Sequence, residues 1–454
     1  MLTGRETETS YLNNYYDRVG SQIFVVYGQK GIGKTSLLRS FVKKKPHLYF
    51  EAISCSYRQQ LYYFGRQLRD MGIPASEYPD FREIIEVLTG DKQRKQVLVI
   101  DEFQHLCKND GGFQEFFSDY WKQEDKGNGL FLVLASSSIG WVENSMLDKM
   151  GDLGRHLTGF LKLRELKYRD FVRQFPGFDS KEGLLAYSIL GGNPQLWQHF
   201  NDDYTIKDNV CNFILPDTEK LFTYGQQIVQ EELRETAVYN TILSSLADGM
   251  NKLNDLHRHT GFSRAKISVY LKNLIQLEIV EKVHSMETTA KENVQKGLYR
   301  ISHAFVRFYY RYLFPNQTVA VRMEAEDFYD IYIDPTFEEF ASDGFALICR
   351  EYLERENALG RLPVQYKRLE TWEGKVGTID FIGQDAKGNT LTGFCSRGGA
   401  PMSYEDYEWY LFCQEKAYLK VSHMILFSVN GFDRRLEGTA DVNPGITLLT
   451  LEQL

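Results

Sequence analysis

Residues 28–35 read GQKGIGKT, and this octapeptide decides the reading of the first half of the chain. It fills the pattern G-x-x-x-x-G-K-[ST] in full. The residues before it, 23–27, are the apolar run IFVVY, which predicts a strand; residues 35–42 predict a helix. In a strand–loop–helix of this kind the glycines let several backbone N–H groups converge on one anion. The helix N-terminus adds a partial positive charge at the same place. Gly28, Gln29, Lys30, Gly31, Ile32, Gly33, Lys34, Thr35 and Ser36 are therefore the candidate phosphate-binding residues. Lys34 is expected to reach the β- and γ-phosphates of ATP, and Thr35 to ligate Mg²⁺. ATP or ADP with Mg²⁺ is thus the expected cofactor set.

Such a loop needs an acid at the end of a neighbouring buried strand. Residues 97–102, VLVIDE, supply one. Asp101 is expected to hold Mg²⁺ through water, and Glu102 to polarise the water that attacks the γ-phosphate. Two acids after the strand favour water as acceptor over a kinase substrate. Further strands are predicted at 48–53 and 130–135, and helices at 57–71, 81–88 and 113–121. This alternation predicts a parallel sheet covered on both faces, an α/β fold. The serines at 136–138 lie where a side chain could sense the γ-phosphate, or they form an ordinary polar turn. Arg155, in LGRHLTGF, is either an arginine finger, in cis or in trans, or a surface arginine.

The whole chain of 454 residues predicts about three domains. With 43% hydrophobic and 25% charged residues it has the composition of a globular protein. Its net charge of −8 argues against a broadly basic surface, though not against a local patch. The six cysteines contain no C-x-x-C pair, which speaks against a zinc or disulfide framework and for a reducing, cytoplasmic setting. The opening MLTGRETETS lacks the apolar core of a signal peptide. The apolar runs are too short to cross a bilayer, so no membrane partner is expected.

Beyond residue 162 the pattern turns helical to 239, broken by Pro176, Pro194 and Pro216. Helices predicted at 236–246, 252–260 and 263–277, then strands at 279–284 and 297–301, are the parts of a winged helix-turn-helix. Residues 286–295 read as its exposed hairpin tip. In FSRAKISVYLKNLIQL, Ile267, Tyr270, Leu271 and Leu274 fall at helical spacing toward the core, leaving Arg264, Lys266 and Lys272 toward solvent. Across 251–300, 9 basic and 5 acidic residues give a local +4, which suits contact with DNA phosphates. The alternative is a module that only packs on the ATPase. Pro315 and Asn316 mark a boundary, followed by a mixed α/β region with helices at 337–352 and 404–419 and strands near 378–382, 390–395 and 423–427.

Together these stretches resemble the archaeal-type ATPase family, a prokaryotic branch of the STAND class of P-loop NTPases. The resemblance rests on GRETE, GQKGIGKT, VLVIDEFQHL, LASSS, LGRHLTGFLKL, LGGNPQLW and YRISHAFVRFYYRYLFPN, in that order over nearly the whole chain. It implies an ATPase core at 1–160, a helical lid at 161–234, a winged helix at 235–315 and a DUF234-like domain at 316–454. It implies that Gly4, Arg5 and Glu6 lie near the adenine pocket, and that Gly191, Gly192 and Pro194 sense the nucleotide from the lid. It adds weight to Gly154 and Arg155.

The same resemblance implies a restriction-endonuclease-like core in the last region. Its Mg²⁺ site would use Glu338 or Glu339, Asp380, and a Glu-x-Lys on the strand at 390–395. The sequence there has Phe394 and Ser396, so the expectation is a degraded nuclease fold, with Arg397 as an unsupported replacement cation. The leading expectation is a Mg²⁺-dependent ATPase acting as a nucleotide-controlled switch. The alternatives are a nucleotide-gated regulator of duplex DNA with incidental hydrolysis, and a defence-type nuclease. A protein partner or a homo-oligomer is a further expectation.

Overall fold

A computed structural model describes residues 4–88, 95–107, 112–123, 129–284, 286, 297–396 and 398–454. The chain divides into two compact units. The first is Met1–Leu166 with Asn193–Gln195; the second is Lys167–Gly192 with Leu196–Leu454. Among the described residues no helix is long and apolar enough to cross a membrane.

The first unit is built on five strands: β1 (Gln22–Tyr27), β2 (His47–Glu51), β3 (Gln96–Asp101), β4 (Leu130–Ser136) and β5 (Leu157–Lys162). They lie in the order β2-β3-β4-β1-β5, every neighbour parallel. Strands β3 and β4 are buried along their whole length, because helices cover both faces. Alternation divides the side chains between those faces. Val25, Leu98, Ile100 and Leu132 pack with Phe64, Phe81 and Phe117, whereas Phe24, Val97, Val99 and Val133 pack with Leu12, Leu37 and Phe41. Each fully buried side chain of this size contributes about 1.5–3 kcal/mol.

Several elements went unread in the sequence, a helix and a strand of this unit among them. Helix Glu6–Tyr16 buries only Leu12 and Tyr15, too few apolar positions to announce itself among charges. Strand β5 is an edge of six residues, LTGFLK, whose Phe160 is exposed.

The second unit begins with helices Tyr168–Gln174, Ser180–Leu190, Pro194–Trp197 (of which 194 and 195 belong to the first unit), Ile206–Phe213 and Leu221–Glu232. Asp179 and Thr205 cap two of them, each accepting the backbone N–H three residues on. Helices Thr236–Ala247, Leu253–Thr260 and Arg264–Gln276 follow, then the antiparallel pair β6 (Val280–His284) and β7 (Gly297–Ile301). Ile267, Leu271 and Leu274 are buried as their spacing predicts. Tyr270 departs from the reading: it is half-buried, with its ring on Tyr239 and its hydroxyl on Glu235. The hairpin-tip residues other than Met286 lie outside the described residues.

Around Pro315 and Asn316 the chain stays helical, through Tyr309–Leu313, a 3-10 turn at Phe314–Asn316 and Gln317–Ala320. Helix Asp334–Ala358, of 25 residues, leads to a mixed sheet. Its strands are β8 (Leu369–Glu373), β9 (Thr378–Gln384), β10 (Thr390–Cys395), β11 (His423–Ser428) and β12 (Ile446–Thr450). β8, β9 and β10 pair antiparallel; β10, β11 and β12 pair parallel.

Several contacts bind this unit together. Met286 N donates to Thr371 O at 2.7 Å, and Lys252 pairs with Glu373 at 2.7 Å, so the β6–β7 hairpin is tied to β8. Glu351, on the long helix, accepts from Tyr168 N at 2.9 Å and Tyr187 Oη at 3.0 Å, with Lys167 Nζ at 3.5 Å. A Cβ on Gly344 would lie 1.9 Å from Ser188 Oγ, so only glycine lets helix Ser180–Leu190 come this close.

Candidate nucleotide site

β1 ends at Tyr27, and the helix that follows starts at Lys34. Gly31 and Gly33 hold φ of +80° and +95°, a conformation that side chains resist. Ile32 is buried with Leu37 and Leu38 and anchors the loop to the sheet. Lys34 is buried, and its ammonium donates to Gly28 O at 2.9 Å and Gln29 O at 3.0 Å. Gln29 is half-buried; Lys30 and Ser36 are exposed.

At the C-terminal end of the sheet, Thr35 Oγ1 donates to Asp101 Oδ2 at 2.7 Å. The Tyr49 hydroxyl donates to the same oxygen at 2.6 Å. Burial, then the Asp101 charge, pushes the Tyr49 phenol far above its usual range, so it stays a donor. Asp101 Oδ1 accepts Glu102 N at 3.1 Å. Both carboxylate oxygens are therefore fixed by hydrogen bonds within the chain.

Glu102 has φ +53°, a conformation that costs energy for a residue with a Cβ. That turn sends its carboxylate toward β4. Oε2 accepts Ser137 N at 3.0 Å, Ser137 Oγ at 2.8 Å and Gln104 Nε2 at 2.6 Å. Burial pushes this carboxyl up, but the bonds from Gln104 and Ser137 and the Lys34 charge outweigh it and hold it below the usual glutamate range. It is a fixed anion at neutral pH.

Three residues far along the chain complete the loop's surroundings. Asn193 Nδ2 donates to Lys30 O at 3.3 Å, and Asn193 Oδ1 accepts Gln195 N at 3.0 Å. A Cβ on Gly31 would lie 2.3 Å from Gln195 Oε1, and one on Gly33 would lie 3.5 Å from Pro194 Cγ. The structure thus sets Pro194 against the loop, together with Asn193 and Gln195. Arg5 is also brought to the loop, but as a clamp on protein backbone. Its guanidinium donates to Ile32 O at 2.9 Å, Arg164 O at 2.8 Å and Glu8 Oε1 at 2.9 Å. Arg155 is not gathered in: its side chain is 84% exposed and pairs with Asp152 at 3.4 Å.

Sequence reading missed Tyr49, Gln104, Ser137, Asn193 and Gln195 as individual site residues. Ser137 and Asn193 had signals, in the serine run after β4 and the middle of GGNP; Tyr49 had none.

The second acidic constellation has a different geometry. Asp380 Oδ2 accepts Cys395 N at 3.0 Å. Phe394 is fully buried, stacked on Tyr410 at 4.0 Å between centroids. Ser396 N donates to Phe427 O at 2.8 Å, and its hydroxyl accepts Val429 N at 3.3 Å. Glu338 and Glu339 are exposed on the long helix. Arg397 lies outside the described residues. Among the described residues no group of three or more His, Cys, Asp or Glu side chains is placed to hold a metal ion.

Comparison with known proteins agrees with this geometry. Residues 2–200 match the family described as an ATPase domain predominantly from Archaea. Residues 240–282 match the bacterial regulatory protein arsR family, a helix-turn-helix model, and residues 309–395 match DUF234, described as archaeal and bacterial proteins of unknown function. The uncharacterized protein MJECL04 of Methanocaldococcus jannaschii is 27% identical over 389 residues, 84% of each chain. Among solved structures, the Walker-type ATPase paby2304 of Pyrococcus abyssi has TM-score 0.48 at 17% identity, covering 68% of this chain and 96% of that one. The STAND protein PH0952 of Pyrococcus horikoshii, with a tetratricopeptide repeat sensor, has TM-score 0.29 at 18% identity, covering 79% and 50%. Residues 2–200 are therefore an ATPase domain of the archaeal type, joined to a helix-turn-helix segment and a DUF234 domain in one chain.

Proposed function

We propose that the chain is a Mg²⁺-dependent ATP hydrolase that works as a nucleotide-controlled switch. One observation carries this reading: Thr35 and Asp101 meet at 2.7 Å beside the phosphate loop, with Glu102 held as an anion on the next residue. These donors fit Mg²⁺, a hard cation that prefers oxygen ligands. Thr35 would ligate it directly and Asp101 through water. When bound, Mg²⁺ neutralises phosphate charge. Lys34 would exchange its carbonyl acceptors for the β- and γ-phosphate oxygens, and Glu102 would orient and polarise the attacking water.

The switch reading rests on Asn193–Gln195. This segment touches the loop's Lys30, Gly31 and Gly33, and its chain neighbours on both sides belong to the second unit. A γ-phosphate that shifts the loop therefore has a covalent route to the helices on either side. The domain limits 1–160, 161–234, 235–315 and 316–454 are our assignment for these parts. Arg155, with its exposed guanidinium, suits a finger acting in trans in a homo-oligomer. The test is Lys34→Ala: turnover should fall about a thousandfold or more. Unchanged Mg²⁺-dependent turnover would sink the proposal.

A second reading, a nucleotide-gated binder of duplex DNA, is favoured by the exposed Arg264, Lys266 and Lys272 on helix Arg264–Gln276. It calls for duplex binding that weakens steeply with salt and differs between ADP and ATP. Glu102→Gln separates the two: it stalls the switch and leaves the DNA complex intact. Nuclease chemistry is disfavoured, since Phe394 is committed to the core.

A further inference from the structure

Within the second unit a cavity of ≈ 490 Å³ opens between β7, the turn after helix Thr236–Ala247, helix Ala304–Phe308 and the long helix Asp334–Ala358. Its size is that of a small-molecule site. Arg300, Arg307 and Arg311 line it with Phe340, and so do the acids Asp248, Glu281, Glu339 and Asp343. Arg307 lies over the Phe340 ring at 4.4 Å. Nε of Arg307 is buried with no hydrogen-bond partner among the described residues.

Each arginine has an acidic neighbour, but the inner pairs are lopsided. Arg307 pairs with Asp343 at 3.2 Å, and their side chains are 17% and 66% exposed. Arg311 pairs with Asp248 at 3.7 Å, at 33% and 56%. The cations are thus the inner partners and the carboxylates the solvated ones at the rim. Pairs with one hydrated partner are weak. Arg300 bonds to Glu281. Burial pushes the Arg307 guanidinium down; Asp343 opposes this and the Arg300 charge adds to it. The buried guanidinium of Arg307 therefore keeps an unused donor, which an incoming anion can satisfy.

We propose that this cavity binds a small phosphate-bearing ligand of nucleotide size, with Arg307 and Arg311 clamping the phosphate and the Phe340 edge contacting the ring. The phosphate oxygens take over from Asp343 and Asp248, and reach the unused Nε. This site is independent of the phosphate loop, and its failure leaves the ATPase reading untouched.

The experiment is calorimetric titration of the full chain carrying Lys34→Ala, so that the phosphate loop contributes little. The probes are inorganic phosphate and 5′-AMP. Both should bind, AMP the tighter. Arg307→Gln should weaken AMP at least tenfold. Asp343→Asn, at a solvated position where folding is least at risk, should tighten it several-fold by freeing Arg307. A purely structural ion-pair network predicts the opposite: Asp343→Asn lowers the melting temperature and gains no affinity. No heat with either probe overturns the proposal. So does a result in which Arg307→Gln and Arg311→Gln release duplex DNA but leave AMP binding unchanged.

Discussion

Asp101 on β3 and Asp380 on β9 each stand in a five-stranded sheet; the sequence reads the first as a metal-holding acid and the second as the remnant of a degraded metal site. Asp101 receives two hydroxyls, from Thr35 and Tyr49, and lies one residue from an anion held by Ser137 and Gln104. Asp380 receives the backbone N–H of Cys395, beside a phenyl ring buried in the core. The first acid is embedded among groups that can exchange partners with a metal or a phosphate. The second accepts a backbone N–H from the neighbouring strand. An acid on a strand becomes a site through its neighbours, and here the neighbours decide in opposite directions.

The largest test of that contrast is at Phe394. If it is core rather than a lapsed ligand position, Phe394→Ala should cost about 3–5 kcal/mol in denaturant unfolding. A loss under about 1 kcal/mol would mean β10 does not pack as described. Next is Glu102→Gln, which should lower ATP turnover about a hundredfold or more while nucleotide binding persists. The pH profile sharpens it. Because the folded carboxyl is held below the usual glutamate range, it stays charged as pH falls through that range. The stabilisation it supplies is present above the unfolded-state pKa and is lost only as pH falls through the depressed folded value. The acid limb of turnover should therefore lie below the ordinary glutamate range; a limb nearer neutrality would assign the base to another group.

Tyr49→Phe comes third. Losing one bond to the Asp101 carboxylate should raise the Mg²⁺ needed for half-maximal turnover about tenfold, roughly 1.4 kcal/mol. A lower Mg²⁺ requirement would show instead that Tyr49 competes with the metal. Smallest is Asp380→Asn, expected to leave ATP turnover within about twofold of the parent, with no phosphodiester cleavage of plasmid by either protein. A plasmid-cutting parent silenced by this change would erase the contrast.

What was legible follows the range of the interactions. The loop, Lys34, Thr35 and Asp101 declare themselves because strand, glycine spacing and helix lie within one local pattern, and β3 and β4 are continuous apolar runs. Tyr49 is one aromatic on a strand of alternating burial, and its partner is 52 residues away, so nothing local marks it. Arg5 is placed near the adenine pocket by the family resemblance alone; its carbonyl acceptors at Ile32 and Arg164 are visible only in three dimensions. β5, β8 and β12 are short strands at or beside sheet edges, where half-exposure dilutes the hydrophobic pattern.

The bond from Tyr187 to Glu351 has a mechanical side. It fastens helix Ser180–Leu190 to a rod of 25 residues, about 37 Å long at 1.5 Å per residue. A tilt of about 10° at one end of such a rod displaces the other by about 6 Å. With Gly344 pressed on Ser188 and Glu351 gripped by three groups, the rod has little freedom to slip instead of turning. Helix Ser180–Leu190 and the long helix are thereby coupled, so that a tilt of one carries the other with it.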